Sequence, residues 1–183
     1  MKFSVENLKS KRQWKSATGF SKDKFYKVLE QFKLSYIETY GKELKDRLVD
    51  SNVDYCIQNE EELLLFTLFS LKSGLGYDLL GLVCGMDGSN AKRNQKTGVN
   101  LLHKTLSILK YMPCRNFMNI EDFETCFPDN ETIIIDATEQ RIQRPKNKEE
   151  QKSCYSGKKH AHTVKATIIA TSDRVIKYLS HFY

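Results

Sequence analysis

The chain has 183 residues, 40% hydrophobic and 28% charged, which is enough for one domain or two small ones and excludes a disordered tail. The longest apolar run, Leu63 to Phe69 with Thr67 inside it, is far too short to cross a bilayer, and Met1-Lys2-Phe3-Ser4-Val5-Glu6 has no apolar signal core, so membrane and secreted classes are set aside in favour of a cytoplasmic protein. The net charge of +6 sits at the two ends, with 12 Lys and Arg against 7 Asp and Glu in residues 1–50 and 6 against 1 in residues 151–183, a balance that suits either a polyanion such as nucleic acid or a plain solvated surface.

Residues 1–20 are polar and basic without a clear period and read as a loose basic arm, with Trp14 suited to pinning it to the helical region. From Ser21, a good N-cap, the residues Phe25, Val28, Leu29, Phe32, Tyr36, Tyr40, Leu44 and Leu48 recur at helical steps. They predict one helix, or two with a break near Leu34 or Gly41, whose stripe packs on later helices or forms a short coiled-coil seam. A second helix starts at the capping residue Asn59, carries Glu60, Glu61 and Glu62 in its first turn, is apolar nearly all round from Leu63 to Leu71 and stops at Ser73-Gly74. A short helix from Tyr77 to Cys84, the turn Gly85-Met86-Asp87-Gly88 and a longer helix from about Ser89 to Lys110 come next, the last buried through Val99, Leu102, Leu106 and Leu109, with His103 read as packing.

Met112-Pro113 and Phe127-Pro128-Asp129-Asn130 are breakers around a short acidic helix near Ile120 to Thr125. Thr132 to Ile135 reads as a buried strand that delivers Asp136 at its exposed tip, and Gln140 to Lys152 as an excursion. Thr163 to Ala170 and Arg174 to Leu179 then form an antiparallel pair joined around Thr171-Ser172-Asp173. The five cysteines are scattered, odd in number and without a C-x-x-C pair, which favours free thiols in a reducing compartment over a zinc site. The predicted class is α+β, with an arm over 1–20, a helical region over 21–111 and strands within 112–183.

Two features carry chemistry. A long helix, a short helix of eight, a glycine turn and a polar helix is the order in which a second helix props a third into the DNA major groove. In that helix-turn-helix reading, at about 60–110, Leu79, Leu80, Leu82 and Val83 hold the prop, and Ser89, Asn90, Lys92, Arg93, Gln95 and Lys96 face phosphates and base edges. The alternative is a helical hairpin with a solvated polar face. The second feature is the acid Asp136 followed by basic segments, in which a strand-end carboxylate either helps to hold a divalent ion or simply starts a turn.

Asp136-Ala137-Thr138-Glu139, Ile142-Gln143-Arg144-Pro145, Tyr155-Ser156-Gly157-Lys158-Lys159 and His162-Thr163-Val164-Lys165 together resemble the opening of the catalytic domain of DDE-superfamily insertion-sequence transposases. Residues 60–109 resemble, less specifically, the helix-turn-helix segment that precedes it. The resemblance implies the first strands of an incomplete ribonuclease H-like domain over 112–183, Mg²⁺ or Mn²⁺ as cofactor of the intact family site, Asp136 as the first catalytic, metal-binding acid, and duplex DNA at element ends as partner. It implies too that the second and third acids of the triad lie outside this chain, so that a transposase fragment binds DNA without cutting it. A decayed copy, a frameshifted frame, or one half completed by a second polypeptide would each have that form, as a homodimer or not.

Arg144, Lys158, Lys159 and Lys165, with Arg141, Lys146, Lys148 and Lys152, read as a phosphate-facing surface or as ordinary loop solvation. Glu139 reads as part of the outgoing loop, or as a group that supports the metal ligands without touching the ion, rather than as a second triad acid. His160 and His162, two apart, are expected on one face of a strand, where phosphate contact or packing is favoured over zinc. Two rivals stay open: a non-enzymatic DNA-binding regulator of transposition, and a helical interaction module without nucleic acid.

Overall fold

Four polar side chains start helices in the first of two compact units, Met1–Tyr111. Ser10, Ser21, Asn59 and Asp87 accept from the amides of Gln13, Lys24, Glu62 and Asn90, ahead of α1 (Lys11–Thr18), α2 (Lys22–Tyr40), α4 (Glu60–Ser73) and α6 (Gly88–Ile108). Between these lie α3 (Leu44–Val49) and α5 (Tyr77–Cys84). The structure is a computed structural model and describes residues 2–49, 55–128 and 132–183. The turn residues Asp129 and Asn130 therefore lie outside the described residues.

The core of this unit follows the apolar stripe read from the sequence. Phe25, Val28, Phe32 and Tyr36 of α2 are buried with Leu63 to Phe66 of α4 and Leu101 of α6. α2 runs straight through Leu34, which is 59% exposed, and ends at Gly41, whose φ of 80° supplies the left-handed C-cap. Glu60 is buried and its Oε1 accepts from the Leu44 amide at 2.6 Å, which ties the start of α3 to the start of α4.

Two expectations are corrected in this unit and a third is extended. Residues 11–18 are not a loose arm: α1 buries Trp14 and Thr18, and the Trp14 ring lies 5.2 Å from that of Phe25. One aromatic per two turns, backed by the Ser10–Gln13 capping box, suffices to fold a segment whose charge hid its period. Of the positions expected to bury α6, Leu102 is buried, Leu106 and Leu109 pack partly covered against the core and Val99 is half-buried, while Ala91, Gly98, Leu101 and Thr105 complete the buried face. Small residues dominate there because a Cβ at Gly98 would overlap the side chain of Thr67 on α4. His103 is exposed rather than part of the buried face.

The second unit, Met112–Tyr183, contains α7 (Ile120–Cys126), β1 (Ile133–Arg141), α8 (Lys148–Ser153), β2 (Tyr155–Ser156), β3 (Ala161–Thr171) and β4 (Ile176–Leu179). The architecture of the chain is thus α+β, with helices first and a small antiparallel sheet after them. β3 is the middle strand, flanked by β1 on one side and by β2 and β4 on the other. After β4 the chain keeps pairing along β3, since the amides of Lys165 and Tyr183 exchange bonds with each other's carbonyls at 2.9 and 3.0 Å.

β1 departs from expectation in two ways. It does not end at Asp136 but runs on to Arg141, pairing Asp136 with Ile168 and Glu139 with Lys165. Nor is it buried: Ile134 is 48% exposed and Ile135 63%. Continuous β3 pairing carries the strand past the acid, and among the described residues no layer of side chains buries Ile134 or Ile135.

His160 stands in the turn before β3 with φ 47°, so it does not share a strand face with His162. The cysteines are not all free either, because Cys114 and Cys126 are disulfide-bonded. Cys114 pairs beside β4 through its amide and carbonyl, and α7 returns Cys126 to it around Phe117, Phe123 and Phe127. Among the described residues no helix is long and apolar enough to cross a membrane.

Candidate functional site

The start of α6 is built by the turn before it. Gly85 takes φ 81°, and both its amide and that of Met86 return to the carbonyl of Gly81, at 2.7 and 2.9 Å. A Cβ at Gly81 would come within 2.5 Å of the Met86 carbonyl, so only glycine lets α5 close on the turn. Asp87 then caps α6, accepting from the Asn90 amide at 2.8 Å and from the Asn90 side chain. The Asn90 amide bond is the largest reason its carboxyl is held below the ordinary value.

These contacts divide the polar residues of α6. Gln95 is a clamp: its Nε2 donates to Ser70 Oγ of α4 at 3.1 Å, and its Oε1 accepts from the Tyr77 hydroxyl of α5 at 3.0 Å. Asn90 is held by Asp87 and accepts from Arg93 Nη2 at 2.8 Å. Ser89, Lys92, Arg93 and Lys96 are exposed. The first two turns of α6 thus offer one hydroxyl and three cations to an outside partner, while two of the residues suited to base contacts serve the fold. The prop differs as well, since α5 buries Leu80, Gly81 and Cys84 and leaves Leu79, Leu82 and Val83 exposed. Burial pushes the Cys84 thiol up to about 11, so it is a packing group.

In the second unit Asp136 lies within β1 and is exposed, and its Oδ1 accepts from the Ala137 amide at 2.8 Å. Glu139 is in the same strand rather than in a loop. Three residues apart on a strand is an odd offset, so the two carboxylates point to opposite faces. Glu139 accepts from Ser156 Oγ at 3.0 Å through Oε2, and its Oε1 lies 3.8 Å from Lys165 Nζ. Three segments separated in sequence, around Glu139, Ser156 and Lys165, therefore meet at one point of the sheet. No spacing signal in the sequence announces this, because the contact depends on the β1–β3 register.

Arg144 follows β1 and donates from Nε and Nη2 to Gln151 Oε1 at 3.1 and 2.8 Å, which fixes it to α8. Lys158 and Lys159 are exposed in the turn between β2 and β3. Among the described residues no three His, Cys, Asp or Glu side chains converge where they could hold a metal ion.

Residues 135–183 match the family model described as DDE superfamily endonuclease. The match begins one residue before Asp136 and takes in Glu139, Ser156 and Lys165. Endonucleases of this family act on DNA and generally use divalent metal ions. No curated protein and no solved structure matches the chain.

Proposed function

We propose that this polypeptide is a transposase-type protein that binds duplex DNA, with α5 and α6 as a helix-turn-helix and the first turns of α6 in the major groove. The observation that carries the reading is the exposed set Ser89, Lys92, Arg93 and Lys96 on a helix start fixed by the Gly85 turn and the Asp87 cap, in a chain whose later residues match a DNA endonuclease family. Lysine and arginine at a helix start neutralise phosphates, and Arg93 has the donor fork that suits guanine. Arg144, Lys158, Lys159 and Lys165 add phosphate contacts from the second unit, and the DNA is an element end.

In this reading Asp136 is the first acid of a ribonuclease H-like endonuclease domain. The described residues do not fit the divalent ions of the family: one exposed carboxylate gives a hard ion too few oxygens, and Glu139 faces the other way and is engaged by Ser156 and Lys165. Residues 1–183 alone therefore bind DNA without cleaving it. The same observation favours a second reading, a DNA-binding regulator of transposition that has no use for Asp136.

Duplex binding measured against salt tests the proposal. Replacing Lys92, Arg93 and Lys96 by Ala should lower the slope of log affinity against log salt by about 0.9 for each phosphate that is no longer neutralised. Asp136→Asn should leave affinity and slope as they are. An unchanged slope in the triple variant would return α6 to a solvated helix face.

A further inference from the structure

A cleft of about 640 Å³ opens between the start of α1 and the start of α2, far in sequence from α6. Lys9, Lys11, Lys15 and Lys22 line it, against a single acid, Asp23. All four lysines are exposed, and among the described residues none has an ion-pair partner. The floor is packed: Trp14 is 4% exposed and lies against Phe25 and Tyr26, and Thr18 Oγ1 donates to the Trp14 carbonyl at 2.7 Å. Lys11 and Lys15 are one turn apart on α1, so they stand side by side on the wall of the cleft.

Four like charges around one concave surface raise the local potential and attract a polyanion more strongly than the same charges scattered over a flat face. We propose that this cleft is a second DNA-binding site, which takes the phosphate backbone of a duplex without reading its sequence. The proposal rests on duplex DNA being the partner, as above, but not on α6 being the reader. A backbone-only site fits the chemistry present, since lysine is a point charge without the planar fork that reads base edges. An acidic protein segment is the competing occupant. DNA is favoured because the chain carries a DNA endonuclease match and because a duplex presents charges along a continuous rod.

Trp14 is the chain's one tryptophan and lines the cleft, so its fluorescence reports on the cleft and the core directly beneath it. Duplex DNA should be titrated over a range of salt into the full chain, a variant with Lys9, Lys11, Lys15 and Lys22 changed to Gln, the same four changed to Arg, and the α6 triple variant. The proposal expects DNA to change Trp14 emission in the full chain, and the Gln variant to lose that change. Its salt slope should fall by roughly 0.9 for each lysine that meets a phosphate, and its affinity at low salt by tenfold or more. The Arg variant should keep both, which separates charge from folding.

A Gln variant with the slope and emission response of the full chain overturns the cleft and leaves the α6 reading standing. A loss in the Gln variant beside no loss in the α6 variant does the reverse. Tighter capture of polyglutamate than of duplex DNA by the full chain overturns DNA as the occupant.

Discussion

Asp136 and Glu139 are three residues apart, carry the same charge and have opposite surroundings. Asp136 is exposed, and among the described residues its carboxylate meets the neighbouring amide alone, whereas Glu139 joins Ser156 and Lys165 across three segments. Removing Glu139 as Ala should cost about 1 kcal/mol, since a part-buried charge-assisted hydrogen bond disappears with it. Asp136→Asn should stay within about 0.5 kcal/mol of the unaltered chain. Urea midpoints of the two variants give the comparison, and equal losses would mean that Asp136 has a structural task. Asp87 adds a test in pH. Its carboxyl is held low by the Asn90 amide, so its contribution is full above the ordinary carboxyl value and is lost as pH falls through the depressed one. Asp87→Asn keeps an oxygen for the cap but not the charge. The thermal midpoint of that variant should lie below that of the unaltered chain at neutral pH, and the gap should close on acidification.

The packing of α4 on α6 turns on one pair of residues. In an exposed helix, replacing glycine by alanine gains close to 1 kcal/mol. At Gly98 the added methyl would collide with Thr67, so Gly98→Ala should instead destabilise the first unit by about 1–3 kcal/mol. Thr67→Ala in the same chain should recover part of that loss, a coupling that denaturation of the single and double variants would measure. Gly98 also shows where reading the sequence stops. Caps and apolar periods made the positions of α2, α4 and α5 legible, because Ser21, Asn59 and the stripe from Phe25 to Tyr36 act locally. The buried face of α6 was legible only in its leucines, such as Leu102, because what selects Ala91, Gly98 and Thr105 is the closeness of a neighbouring helix. The same limit explains α5, whose Leu79, Leu82 and Val83 read as a buried prop and stand exposed. Hydrophobicity says what a residue prefers; the helix crossing decides what it gets.

The two units differ in how much apolar surface they cover. Large buried side chains from α1, α2, α4, α5 and α6 make one continuous core in the first. In the second, Phe127 and Ala166 are the buried hydrophobics among the described residues, while Ile134, Ile135 and Ile176 stay about half exposed or more. The antiparallel pair and the acid before it were legible as a strand pattern. The exposure of β1 was not, because a run of isoleucines signals a preference for burial, which only a covering layer can satisfy. Among the described residues β1 also has no partner strand on its second edge, which leaves that edge's amides and carbonyls outside the sheet ladder. Backbone bonds without an apolar cover break locally at low cost, whereas those of α4 sit beneath side chains that must all be exposed together. Amide hydrogen exchange should therefore be faster along Ile133–Arg141 and Ile176–Leu179 than along Glu60–Ser73, and a mild denaturant should speed the first two before the third. Equal protection in all three would show that the sheet is stabilised by more than the described residues supply.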